Sequence, residues 1–307
     1  FDDYGNIRVD LSDVTVVPSS AGAVRTLGRT DWGTNHSLAF GLLVPSYRTS
    51  SLSSRTGDGT GDQSSSYIRR TTDRELWSAV GYGLEINPTF RVGVSGYYIF
   101  RSMVDTEEAS ISENFANDAS LRRFALTSSE VTVSSGSLLF GVGLHWEPIK
   151  NLRLGLFAST PSTAVHSDGA IRTVRSGANV GCPSETPCAD SELVLKPFFQ
   201  ERDVSNLGSG FGIAPMLRLG FAYEKPKWFL IAADVVHYRD IEYALLRDSE
   251  NESVPNNFVP FSNSIVREAV TNFHLGVEYW ILPDVTVSLG AFSNRSTAPD
   301  VSNRPVA

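Results

Sequence analysis

Among its 307 residues the chain has no run of 18 apolar residues without a charge, so none of its segments reads as a transmembrane helix. It has no basic block either. Lys and Arg number 26 against 34 Asp and Glu, for a net charge of −8, and nucleic acid is not expected as a partner because neutralising phosphates takes clustered cations. G-x-S-x-G, P-loop and H-E-x-x-H patterns are missing, so no local motif points to an enzyme. There are only two cysteines, Cys182 and Cys188, spaced C-x5-C in GCPSETPC. That spacing, with proline and glycine around it, suits a small disulfide-closed loop in an oxidising compartment. Free thiols or a metal are the other readings, but two thiols without nearby histidines fall short of a four-ligand site, so no metal and no cofactor is expected. The chain opens at Phe1 without a methionine or a basic-then-apolar leader, as a processed or trimmed chain would.

What the chain does have is alternation. In LLFGVGLHWEPIKNLRLGLFAS (138–159), Leu138, Phe140, Val142, Leu144 and Trp146 share one face and Leu139, Gly141, Gly143, His145 and Glu147 the other. After a turn at Pro148–Asn151 the pattern resumes with Leu152, Leu154, Leu156 and Ala158 against Arg153, Gly155, Phe157 and Ser159. Pro148 and three glycines argue against a helix, and a period of two argues for a hairpin. The same design recurs around turns near residues 31, 88, 226 and 283, giving at least five hairpins and ten or eleven strands. Long polar segments tie the hairpins together, at about 48–65, 104–122, 160–207, 246–264 and 295–307. Two of these, GDGTGDQ and RDSENES, look like calcium loops in composition but miss the EF-hand pattern, and read as solvated loop.

Short turns at one end and long loops at the other are the pattern of an outer-membrane β-barrel. Trp146, Trp228 and Trp280 lie within three residues of turn prolines, as an interfacial aromatic girdle requires. A soluble antiparallel sandwich shows the same alternation, but its outward face would be the polar one. Here the bulky face is apolar and the opposite face is glycine, serine and charge. The fold class expected is therefore all-β, an antiparallel transmembrane outer-membrane β-barrel, with 1–307 as a single barrel domain.

Three segments resemble the FadL/TodX family of outer-membrane transporters for long-chain fatty acids and other hydrophobic compounds. VPSSAGAVRTLG (17–28) and HSLAFGLLVPSYR (36–48) are similar to its early strand pair, and APMLRLGFAYEKPKWFLIAADVVHY (214–238) to its glycine-bearing hairpin. LPDVTVSLGAFSNRSTAPD (282–300) resembles a late strand running into an extracellular loop. The resemblance implies fourteen strands, an N-terminal plug with an Asn-Pro-Ala segment, a fatty acid-like ligand and sideways exit through the barrel wall. No Asn-Pro-Ala occurs and fewer strands are visible, so the expectation is a barrel incomplete at both ends. Its surroundings would be outer-membrane lipid and lipopolysaccharide. The alternative function is a surface anchor or subunit of an outer-membrane complex with partner proteins. An outer-membrane esterase is the enzyme alternative.

Inward positions carry the candidate site. Arg91, Arg153 and Arg218 share inward parity, with Glu85, Glu147, Glu278 and Asp234 as acidic counterparts. They are expected either to grip a carboxylate bidentately or to satisfy one another across a wet wall. Asp234 shares parity with Trp228, Leu230 and Ala232, so either the row faces inward with Trp228 in the lumen, or a β-bulge between Ile231 and Asp234 turns it over. Leu193, Val194, Leu195, Phe198 and Phe199 are expected to form an apolar capture patch in the 160–207 loop.

Overall fold

The computed structural model describes residues 8–15, 19–29, 34–45, 47–57, 63–115, 118–181, 194–247, 264–282 and 285–297. Every regular element among them is a β-strand. The strands are β1 (Arg8–Thr15), β2 (Ser19–Arg29), β3 (Asn35–Val44), β4 (Tyr47–Gly57), β5 (Gln63–Asn87), β6 (Phe90–Phe115), β7 (Asp118–Ile149), β8 (Leu152–Ser159) and β9 (Thr163–Gly181). They continue as β10 (Val194–Ser209), β11 (Met216–Lys225), β12 (Phe229–Tyr238), β13 (Ile241–Ala244), β14 (Leu246–Arg247), β15 (Ser264–Arg267), β16 (Val270–Leu282) and β17 (Val285–Phe292). Fifteen of them form one antiparallel sheet whose main path runs β1-β4-β5-β6-β7-β8-β11-β12-β16-β17, and β13 pairs with β15 apart from it.

The hairpin turns stand where proline and asparagine put them. Pro88–Thr89 joins β5 to β6, and Lys150–Asn151 joins β7 to β8. Residues 226–228 join β11 to β12. Asn151 and Lys227 adopt positive φ, 74° and 61°, which lets each chain reverse in two or three residues. The turns expected near residues 31 and 283 lie outside the described residues.

The strand count is larger than expected, and most segments read as loops are strands. Residues 104–115 extend β6, 118–122 begin β7, and 47–57 are β4. Most of 160–207 is the hairpin β9–β10, laid along β7. These stretches are serine- and charge-rich, so apolar/polar alternation fades. Their backbones are nonetheless paired for the whole length of β5, β6 and β7, which run 25, 26 and 32 residues. The ladder supplies the hydrogen bonds that the side-chain pattern does not advertise.

Register sorts the two faces. One cross-strand row is Leu84–Val92–Leu144–Leu156–Leu219–Val235–Phe273. The next row, on the opposite face, is Asn35–Glu85–Arg91–His145–Gly155–Gly220–Asp234–His274. The bulky face is bare: Phe40, Val94, Phe140, Leu219, Phe273 and Leu275 are all more than half exposed. The small face carries the packed interior. Ile99, Leu139 and Phe211 form one buried cluster on it, and Met103, Val131, Val133, Ile171, Leu207, Leu245 and Leu246 form another.

Candidate functional site

The small face is built from glycine. Ser37, Gly83, Gly93, Gly143 and Phe157 form one row across it, and Ala39, Gly81, Ser95, Gly141 and Ser159 the next. Between Arg91, His145 and Phe157 these small residues leave a cavity of about 350 Å³. A β-carbon at Gly155 or Gly276 would meet nothing within 4 Å, and one at Gly220 only the Gly155 carbonyl oxygen at 4.0 Å. Side chains at these positions would project into open space in front of the sheet.

Charges on this face pair locally. Arg91 Nε donates to Glu85 Oε2 at 3.3 Å, and Arg153 reaches Glu224 across the β8–β11 seam at 2.9 Å. Asp234 accepts from Arg218 at 2.8 Å and lies 2.7 Å from His274 Nδ1. The β11–β12 and β12–β16 registers run unbroken past Asp234, so no bulge turns the row and Asp234 faces inward. Trp228 does not follow it. It sits in the turn before β12 with the Lys225 ammonium 4.0 Å above its ring, at the strand end rather than on the inner wall. Glu147 and Glu278 stand near the turn end of the small face, and among the described residues neither forms an ion pair. Arg91, Arg153 and Arg218 are thus each met by a nearby carboxylate rather than converging on one point, while Glu147 and Glu278 stand apart from them.

Phe198 and Phe199 do not share a face. Both lie on β10, opposite Gly177 and Ser176, and as consecutive residues they project to opposite sides of the ladder. Phe198 covers Gly177, where an added β-carbon would stand 2.8 Å from the ring, while Phe199 is exposed. Cys182 and Cys188 lie outside the described residues.

The inner face also carries groups that the sequence reading passed over. Above the glycine rows, Arg101 forms a bidentate pair with Asp73 at 2.8 and 2.7 Å. Further along, Arg69 does the same with Asp105, which also accepts from Thr71 at 2.6 Å. Asp105 and Arg101 are buried. Burial pushes the Glu107 carboxyl above its ordinary value, against the opposing pull of Arg69 and the Tyr67 hydroxyl. The available signal was parity: Arg69, Thr71, Asp73, Glu75 and Trp77 continue the inward series of β5.

Against these strands lies an inner layer. Residues 210–215, between β10 and β11, form an irregular strap that crosses the small face. Gly210 N–H donates to the Leu245 carbonyl at 3.0 Å, and Ser162 N–H to the Ile213 carbonyl at 3.1 Å. Phe211 packs on Ile99 and Leu139, meets Tyr243 edge-on at 6.5 Å, and has the Arg101 guanidinium 4.9 Å over its ring. The hairpin β13–β15 and Leu245–Leu246 complete the layer, with Leu246 seated over Gly169.

No protein-family model and no curated protein matches the sequence. Solved structures do resemble it in chain path. A TodX deletion mutant, described as a monoaromatic hydrocarbon channel, aligns with a TM-score of 0.46 and 12% identity over 99% of this chain and 78% of its own. The toluene transporter TodX of P. putida aligns with a TM-score of 0.44 and 12% identity over 95% of this chain and 74% of its own.

Proposed function

We propose that this chain is an outer-membrane β-barrel wall that lets hydrophobic small molecules pass by diffusion, without catalysis. The observation that carries the reading is the division of the sheet into two faces. The bare apolar face is wide enough to meet lipid. From the turn at Pro88–Thr89 to Ile99 is about the 9–11 residues a tilted strand needs to cross a bilayer. A soluble protein rarely leaves such a continuous apolar surface open.

The opposite face supports passage rather than anchorage. Its glycine rows leave open space, its cations Arg91, Arg153 and Arg218 are each met by a carboxylate, and its apolar layer lies at the far end from the turns. An anchor would fill the space with interlocked side chains. A groove of about 750 Å³ on the outer side, over Ala23, Phe40, Val80, Gly96, Tyr98 and Leu138, gives an apolar solute a place to rest against the bare face. Fatty acids and neutral hydrocarbons are both within the class. Sideways exit keeps the solute out of water, where its exposed apolar surface is unfavourable.

The test uses Gram-negative cells expressing the protein, with surface amount checked by antibody. Radiolabelled toluene and oleate are offered separately. Expression should speed uptake of at least one, and Gly155→Trp with Gly220→Trp should return the rate to that of cells without the protein. Equal uptake with and without the protein would sink the channel reading and leave the anchor.

A further inference from the structure

On the long strands the two faces treat arginine differently. On the inner side Arg69 and Arg101 each hold a carboxylate through two bonds, Asp105 and Asp73 respectively. Arg70 and Arg74 have the opposite parity on β5 and project outward. Both are exposed, and among the described residues neither forms a hydrogen bond or an ion pair. Arg55 on β4 stands opposite Ser66 and faces the same way, also exposed and unpartnered among the described residues. Along the ladder the three follow one another at four-residue steps, about 13 Å each at the rise of an extended strand. Against them the described outer face of β4–β6 carries a single acid, Glu108.

Directly below Arg74 on the same face stand Leu76 and Val80, the upper edge of the bare apolar belt. The belt's other edge is the turn at Pro88–Thr89, and short turns mark the periplasmic side, so the arginine row rises from the belt on the outside of the cell. At its top, Ser53, Arg55, Ser64, Ser66, Ile68 and Ser110 line a hollow of about 430 Å³. The hydroxyls of Ser66 and Ser110 bond each other there at 2.7 Å. The face thus changes with height from aliphatic to cationic, and then to a cation beside clustered hydroxyls. A phosphorylated glycolipid has the matching order: acyl chains, then phosphates, then sugars. Guanidinium groups fit phosphate through two parallel bonds, which a lone ammonium cannot do.

We propose that the outer face of β4–β6 is a docking strip for the phosphorylated glycolipid of the outer leaflet, lipopolysaccharide. Its acyl chains lie against Leu76 and Val80, Arg74 and Arg70 each take a phosphate, and the hollow beside Arg55 takes a sugar of the chain beyond. A glycerophospholipid shares the acyl chains and one phosphate, but it reaches neither Arg70 nor the hollow, which stand about 13 and 26 Å above Arg74. Because the lipid binds only the paired strands, it also favours the folded form of the serine-rich extension. This inference rests on the reading of the bare face as lipid-covered, and not on the passage of a solute.

The test is native mass spectrometry of the full chain released from detergent micelles. The lipids added are bisphosphorylated lipid A, its dephosphorylated form, phosphatidylglycerol, and lipopolysaccharide that carries only the inner core sugars. Wild-type protein should hold bisphosphorylated lipid A about tenfold more tightly than the dephosphorylated form or phosphatidylglycerol, the size of one charge-assisted contact. Arg70→Gln with Arg74→Gln should bring it down to the dephosphorylated level. Arg172→Gln, on the outer face of β9 but already paired with Glu201, should leave it unchanged. The core-bearing form should bind more tightly than lipid A, and Ser66→Val with Ser110→Val should remove that gain. Equal retention of the phosphorylated and dephosphorylated forms, equal retention of phosphatidylglycerol, or full affinity in the double arginine variant overturns the proposal. Competition by millimolar inorganic phosphate also overturns it, because the row would then be a site for free anions. A core-bearing form no better than lipid A overturns the sugar hollow. The wild-type comparison stands however the variants fold. Whether the bare face meets lipid is scored separately, by folding in micelles against folding in plain buffer. If the protein folds only in micelles and these signatures fail, the strip is wrong and the membrane-facing sheet stands. If it is a stable monomer in plain buffer, both fall.

Discussion

At the scale of single residues, the inner face shows how position sets the worth of a charge. Asp234 serves two partners, but Arg218 is 54% exposed at its side chain and His274 43%. Exposed pairs of this kind are screened by water and contribute about 1 kcal/mol or less. Asp234→Asn should therefore lower stability only slightly, read as a small shift in the urea midpoint, with folding intact. Glu107 behaves differently. Its carboxyl is raised by burial, so the folded protein binds that proton more tightly than the unfolded chain does. The folded state is then favoured below the ordinary glutamate value, and stability falls as pH climbs from there through the raised value. Glu107→Gln should raise the melting temperature at neutral pH, with the gain shrinking toward zero in acid. An equal gain at both pH values would mean that the carboxyl is not the cause.

At the scale of elements, the hairpins were legible and the long extensions were not. Strict alternation in 76–86, 138–147 and 216–224 reported the two faces, because a one-residue slip would reverse every side chain. The serine-rich stretches 48–57 and 104–115 carry no such contrast, since both faces there meet water or polar groups. Only pairing with neighbouring strands shows them to be strands. Asp234 could not be assigned from sequence because a bulge is set by the partner strand, and the unbroken β11–β12–β16 register settles it. The two faces of one strand should respond in opposite ways. Leu219→Arg, on the bare apolar face of β11, should cost about 2–4 kcal/mol if that face lies near the bilayer midplane. Gly220→Arg, one residue on, opens into space and should cost much less. Refolding equilibria in lipid vesicles measure both, and similar costs would argue against lipid on the Leu219 side.

At the scale of the whole molecule, the bare face dictates the solvent. With Phe40, Phe140, Leu219, Phe273 and their neighbours exposed, folding buries little of the bulky apolar surface within the chain itself. The favourable term must come from an amphiphile covering that face. Diluting urea-unfolded protein into micelles should give a β-type circular dichroism spectrum, whereas dilution into plain buffer should give aggregate. A stable monomer in buffer without detergent would contradict a membrane-facing sheet. The inner layer belongs to this scale too: Phe211 comes from one stretch of chain and Tyr243 and Leu246 from another, and the two meet on one face.

The sequence by itself determined strand type, the turns at 88, 150 and 226, and which residues are bulky-face and which small-face. These are local properties, fixed by a period of two and by proline and asparagine. It also placed Arg91, Arg153, Arg218 and Glu85 on one face. Only the tertiary structure decided which charges meet, since Arg153–Glu224 and Arg101–Asp73 depend on how far neighbouring strands are staggered. It alone decided that the 210–215 strap turns inward onto Ile99 and Leu139. That choice is made by distant surfaces coming together, and no local pattern records it.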